Sequence, residues 1–226
     1  MEIGIIGTGN IGSTFAGYLT KLGHQVAIAN SRGPETLTEL ATKTGAKAVT
    51  VEVAANAKDL VIIAIPQKAM VNLPIDILSA SKAIIVDAGN YYPSRDGKIT
   101  DIENGLTDSE WTEKAIGHSV LKAFNNIVAP SLSSKAVASG SKNRIALSVA
   151  GDDAEQKQVL MKLIDEIGFD AIDGGLLSES WRQQPGEPAY CQDLDKEKLK
   201  IALQQADISK RAENLAVADE MAKPYF

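Results

Sequence analysis

The chain is poor in the residues that build metal centres and covalent frameworks, with one cysteine and two histidines among 226 residues. Cys191 has no partner for an internal disulfide, which fits a reducing compartment. Two histidines and one cysteine are too few for a dedicated zinc site. Basic runs are missing as well. The net charge is −6, from 23 basic and 29 acidic residues, and it leaves no electrostatic footprint for nucleic acid. No apolar run approaches the ~20 residues needed to span a bilayer. The opening Met1-Glu2-Ile3-Gly4 lacks the basic region and the apolar length of a signal peptide. These absences together predict a cytoplasmic protein with neither nucleic-acid nor membrane partners.

The hydrophobic fraction is 44%, ordinary for a globular chain. Short apolar runs read as buried strands at Ile3 to Ile6, Gln25 to Ala29, Ala48 to Val51, Leu60 to Ile65 and Ala83 to Val86. Leu60 to Ile65 shows no polar alternation, as expected of a parallel strand covered on both faces. Between the first two strands, Ile11, Phe15, Leu19 and Leu22 recur at helical spacing, and Gly23 ends that helix. The alternation continues with strands at Val120 to Phe124, Ile145 to Ala150 and Phe169 to Ile172, and with a helix from Asp152 to Ile167 opened by Asp152-x-x-Glu155. Strands alternating with helices predict an α/β, Rossmann-type, doubly wound and mainly parallel sheet. Residues 1–175 supply that domain. Residues 176–226 hold a Pro-rich loop and the helical stretch Lys196 to Met221, about 50 residues and thin for a core of their own. They are expected to form an appendage packed on the sheet.

Gly7-Thr8-Gly9-Asn10-Ile11-Gly12 matches G-x-G-x-x-G, directly after an apolar strand and at the start of an amphipathic helix. In that context Gly7 permits the tight turn. Gly9 lets the backbone approach a pyrophosphate, and Gly12 lets helix and strand pack closely. Free N–H groups and the helix dipole then face the phosphates. Sites that prefer NAD carry Asp or Glu about 20 residues on, at the end of the second strand. This chain has Asn30-Ser31-Arg32 there. No carboxylate repels a 2′-phosphate, Arg32 offers a planar fork to bind one, and Ser31 offers a hydroxyl. Gly33-Pro34 then opens the next helix with proline at its first position. The expected cofactor is NADP(H).

The remaining strand ends carry Ile65-Pro66-Gln67, Asp87-Ala88-Gly89-Asn90 and Phe124-Asn125-Asn126. Pro66 and Gly89 shape loops that pass close to a ligand. Asn90 and Asn125 either bond an amide such as nicotinamide or cap turns. Carbonyl reduction needs a proton donor, for which His118 and Lys122 are the candidates. The plainer readings are a Lys122 that reaches out at the strand end or pairs with a charge, and a His118 that is a strand-edge residue. Hydride transfer between two rings needs alignment more than an acid.

These motifs, with Ala64-Ile65-Pro66, Val86 to Asn90 and Lys122-Ala123-Phe124-Asn125, resemble the deazaflavin-dependent NADP oxidoreductase family. The tail stretch Trp181 to Gly186, with Tyr190 and Asp193-Leu194-Asp195, resembles bacterial members of that family. The resemblance implies hydride transfer between NADPH and a deazaflavin, or a flavin or similar small-molecule acceptor. It also implies a homodimer and a pocket beside the nicotinamide. Phe124, Trp181 and Arg182 are the pocket candidates, the last two as a lid over the acceptor side or, for Trp181, as a plug joining the appendage to the sheet. The other class of function open to this fold is a non-catalytic NADP(H) sensor. A pocket lined by aromatics favours the enzyme, and one filled by side chains favours the sensor.

Overall fold

The computed structural model describes all 226 residues. Strand β1 (Glu2–Ile6) leads through a glycine turn into α1 (Asn10–Lys21), and β2 (Gln25–Ala29) follows. Next come α2 (Thr38–Thr44), β3 (Lys47–Ala48), α3 (Val51–Ala55) and β4 (Leu60–Ile63). Then follow α4 (Ile75–Ser79), β5 (Ile84–Asp87), α5 (Pro93–Asp96), α6 (Thr100–Glu103), α7 (Asp108–Ile116) and β6 (Leu121–Lys122). The chain ends with α8 (Ala129–Ser134), β7 (Ala146–Val149), α9 (Ala154–Ile167), β8 (Asp170–Asp173), α10 (Lys196–Gln205) and α11 (Arg211–Ala222). No helix is long and apolar enough to cross a membrane.

Six strands form one parallel sheet in the order β3-β2-β1-β4-β5-β6. The order reverses at β1 and β4, which pair directly, and that switch point opens a crevice at their carboxyl ends. Ile3, Ile5, Ile28 and Ile62 face one layer, with Phe15 and Leu19 of α1. Ile6, Val61, Ile63 and Ile85 face the other. Burial on both faces accounts for the continuous apolar runs. The expected parallel continuation stops at β6. Strands β7 and β8 form their own parallel pair, joined to the large sheet only by an antiparallel bridge between Lys122 and Ala150. The tail then packs α10 onto that pair through Leu199, Ala202 and Leu203.

Several boundaries move for identifiable reasons. The third strand is only Lys47–Ala48, because the Thr50 hydroxyl accepts the Val53 N–H and caps α3 inside the expected strand. The sixth ends before Phe124, whose φ of 66° takes the chain out of extended geometry. Asp153, not Asp152, caps α9, accepting from the N–H groups of Glu155 and Gln156. Asp152 instead accepts the Leu177 N–H and holds the start of the tail. The stretch expected as one helix from Lys196 to Met221 breaks at Ala206, where Asp207 starts a short 3-10 turn.

Candidate functional site

Gly7 and Gly12 are the sterically constrained glycines of the motif. Gly7 has φ 102°, and a Cβ there would lie 2.3 Å from the Ala64 carbonyl oxygen. A Cβ on Gly12 would lie 1.9 Å from the Gly7 carbonyl oxygen, so α1 sits directly on the turn. A Cβ on Gly9 would meet nothing within 4 Å. Gly9 is therefore not required by packing, and the space beside it is open. No side chain caps α1. Its first N–H groups, which helix geometry leaves without intrahelical partners, face that space, and this is the arrangement a pyrophosphate needs.

The space belongs to a cleft of about 810 Å³ along the carboxyl ends of β1, β4, β5 and β6. Of the residues singled out in the sequence, Gly9, Asn10, Ile11, Gly12, Ile65, Pro66, Gly89, Asn90, Phe124 and Asn125 line it. Gly7 lies beneath as the turn, and its N–H bonds the Ala29 carbonyl 2.9 Å away, which sets the β2 end beside the glycine loop. At that end Asn30 accepts the Arg32 N–H (2.9 Å) and donates to Thr36 (3.0 Å), leaving Ser31 and Arg32 exposed. The loop also carries Glu35, whose carboxylate folds back against Gly33.

Both asparagines are engaged. The Asn125 amide donates to Asn90 Oδ1 (3.1 Å) and to the Gln183 carbonyl (2.7 Å), and its Oδ1 accepts from Gln183 Nε2 (2.8 Å). Both its amide hydrogens are committed, and they clamp the tail to the sheet. Asn90 donates to the Asn125 carbonyl (3.2 Å), so it keeps one amide hydrogen and one lone pair for a ligand.

Neither proton-donor candidate reaches the cleft. Lys122 is fully buried, 3.3 Å from Asp87 Oδ2 and 2.6 Å from the Gly89 carbonyl oxygen. It is a strut under the Gly89 loop, the charge-paired reading. His118 lies ahead of β6, at the opposite end of the strands, against the carbonyls of Ser119 (2.7 Å) and Ser81 (3.1 Å). Phe124 lines the cleft with its ring 4.2 Å from that of Phe15 and its backbone in the left-handed region, a strained state for a bulky residue.

The expected lid residues are also elsewhere. Trp181 and Arg182 lie in a 3-10 turn, with Arg182 ion-paired to Glu179 and stacked on Trp181 at 5.9 Å, and neither lines the cleft of its own subunit. The tail reaches the site further along, through Tyr190, Cys191 and Tyr225, opposite Tyr92 and Arg95. Sequence reasoning placed none of these five in the cleft, and Tyr190 entered it only as part of the family resemblance. A signal existed for Tyr92, which follows the Gly89-Asn90 loop directly. None existed for Cys191, which the Asn126 carbonyl holds through its N–H (3.0 Å) with φ at 56°. Burial pushes the Cys191 thiol up to about 11, so it is inert as a nucleophile.

A phosphate cradle at a helix start, at the switch point of a parallel sheet, defines a Rossmann-type dinucleotide-binding protein. The model of the family described as coenzyme F420-dependent NADP oxidoreductase matches residues 2–91. A hypothetical protein from Sinorhizobium meliloti is 31% identical, with a TM-score of 0.69, over 84% of this chain and 93% of its own. A protein from Arthrobacter sp. FB24, described as a putative F420-dependent NADP reductase, is 24% identical with a TM-score of 0.66, over 80% of this chain and 87% of its own. The Escherichia coli K12 protein YjhV is 48% identical over 56 residues, which is 25% of this chain and 41% of YjhV, so the match spans under half of that relative. The chain belongs to the coenzyme F420-dependent NADP oxidoreductase family, whose members are dinucleotide-dependent oxidoreductases.

Proposed function

We propose that this protein is an NADP(H)-dependent oxidoreductase that moves hydride between NADPH and a planar small-molecule acceptor of the deazaflavin or flavin type. The observation that carries the reading is the open cleft. It begins at the unpartnered N–H groups of α1 and ends among tyrosines, and no side chain fills it. A sensor that only held the dinucleotide would have no use for an aromatic-walled space beyond it. When bound, the dinucleotide supplies a two-electron, one-proton reducing equivalent. The chain's part is binding, orientation and water exclusion. Gly9 to Gly12 hold the pyrophosphate, Pro66 and Gly89 form the floor, and Asn90 offers its free amide hydrogen to the nicotinamide carboxamide.

The preference for NADP rests on Arg32, exposed at the end of β2 and free to bind a 2′-phosphate. One charge-assisted contact is worth roughly 1.5–3 kcal/mol, so NADPH is expected to bind at least about tenfold tighter than NADH. Glu35 supports the opposite reading, since its carboxylate lies one turn away and could bond the ribose hydroxyls of NAD. Calorimetry with both cofactors on the wild type, Arg32→Ser and Glu35→Gln decides between them. Equal wild-type affinities, unmoved by Arg32→Ser, reject the 2′-phosphate site. Acceptor dependence is tested by NADPH oxidation against deazaflavin, flavin, quinone and carbonyl compounds.

A further inference from the structure

The tyrosines at the far end of the cleft are not equivalent. Tyr92, from the loop after β5, is buried, and Tyr190, from the tail, is half-buried. Their hydroxyls bond each other at 2.7 Å, so both side chains are committed to the protein. Tyr225 lines the same cleft but is 87% exposed. A single exposed aromatic on an open surface needs no explanation. One that lines a cleft, on a backbone held at both sides, does.

Both holds are visible. Ahead of Tyr225, polar contacts tie α11 to the rest of the molecule. Arg211 donates to the carbonyls of Gly105 (3.0 Å) and Leu106 (2.6 Å). Asp219 accepts from the N–H (3.1 Å) and the hydroxyl (2.7 Å) of Ser94. Asp219 is the one buried residue of that helix, so α11 adds little to the core, and its moorings decide where it leads. It leads into a 3-10 turn, Lys223–Tyr225, in which Pro224 fixes one backbone angle. Beyond the turn, the Phe226 ring lies 5.1 Å from that of Tyr92 and 5.1 Å from the Arg95 guanidinium. Arg95 in turn stacks on Tyr92 at 5.3 Å and donates to the Asn90 carbonyl at 2.5 Å. The backbone of Tyr225 is therefore fixed while its ring stays free, and ordering a tyrosine ring on a ligand restricts only two side-chain angles.

We infer that Tyr225 is the acceptor-stacking residue of the cleft, its ring packing on the outer face of the tricyclic ring of a flavin or deazaflavin. The inference rests on the reading of the cleft as an NADPH site with an acceptor of that type. Two flat rings that exchange hydride must lie face to face. The second face of the acceptor then points away from the nicotinamide, toward the mouth of the cleft, where it would meet water. A tyrosine ring covers such a face with apolar surface and a π-system. Neither a charge nor a proton is asked of Tyr225. The contact is dispersion and exclusion of water, so the ring is required and the hydroxyl is not.

The test uses the full chain saturated with NADP⁺, where no turnover occurs, and two phosphate-free probes, riboflavin and the deazaflavin riboside of coenzyme F420. Calorimetry gives the affinity for each probe, and steady-state oxidation of NADPH gives the acceptor KM and kcat. Tyr225→Ala is expected to weaken acceptor binding and raise the acceptor KM about three- to tenfold, the worth of one aromatic stacking contact. Tyr225→Phe keeps the ring and should stay within about twofold of wild type. NADP⁺ affinity and melting temperature should not move in either variant, because the exposed ring supports neither. The probe that responds identifies which of the two ring systems is the acceptor. An alanine variant that binds both probes as wild type does overturns the inference and leaves the cleft reading standing. So does a phenylalanine variant as weak as the alanine one, or a loss of binding that accompanies a changed oligomeric state in size-exclusion chromatography. A wild type that binds NADP⁺ but neither probe rejects the flavin-type acceptor, and one that fails to bind NADP⁺ rejects the cleft reading itself. The inference falls with either.

Discussion

Replacing Lys122 by methionine tests whether the buried ion pair is structural or catalytic. Methionine keeps the length of the stem and removes the ammonium. The Asp87 carboxylate would then stay buried, still accepting from the Gly89 N–H (2.9 Å), Ser109 Oγ (2.7 Å) and Thr112 Oγ1 (3.2 Å), but without its countercharge. The Gly89 carbonyl would lose its 2.6 Å donor as well. Breaking one side of a buried pair costs about 3–5 kcal/mol, because the remaining charge is uncompensated. At roughly 2–4 °C per kcal/mol for a domain of this size, the melting temperature should fall by about 6–20 °C at neutral pH. Thermal unfolding followed by circular dichroism measures this directly. Asp87→Asn combined with Lys122→Met should recover a large part of the loss, since a neutral amide needs no countercharge. A Lys122→Met protein that melts within 2 °C of wild type would refute the reasoning, as would a double variant no more stable than the single one. A catalytic lysine would show the opposite pattern, lost turnover with stability intact.

The other predictions are shorter. Gly9→Val should abolish NADPH binding in calorimetry and leave the melting temperature nearly unchanged, because the new side chain enters open space that a pyrophosphate would use. Asp108 is buried, and desolvation raises its carboxyl above the ordinary range despite the opposing Lys122 charge and the Tyr91 N–H. The sign follows from the proton count. The folded state holds the proton more tightly than the unfolded state, so stability is full below the unfolded value of about 3.9 and is lost as pH rises through the folded value. Asp108→Asn should therefore melt higher than wild type at pH 8 and gain little near pH 4, and a pH-independent difference would reject the argument. Gln67 is fully buried with neither amide atom hydrogen-bonded. Gln67→Leu should raise stability by roughly 1–3 kcal/mol, and a fall in the denaturation midpoint would show that the amide has a partner.

The sequence by itself determined the parts of this protein that are local. Ile3 to Gly12 specifies strand, turn and helix within ten residues, and the fit of Gly12 against the Gly7 carbonyl lies wholly inside that segment. The doubly wound sheet was legible for the same reason. Its buried strands must be continuously apolar, as Leu60–Ile63 is. The absence of a carboxylate at Asn30-Ser31-Arg32 is likewise a one-dimensional fact. Tertiary structure decided what depends on long separations. Lys122 became a strut because β5 and β6 pair in register, which places its stem beside Asp87. Asn125 was committed by Gln183, 58 residues on, and nothing local distinguishes it from Asn90 in this respect. The tail could be recognised as the part left over for covering the crevice. Which of its residues reach the cleft was fixed by how the Gln183–Asn125 clamp and the left-handed Cys191 aim the chain, delivering Tyr190 to Tyr92 and leaving Trp181 outside. Such placements are properties of packing, and packing couples residues that the sequence does not set side by side.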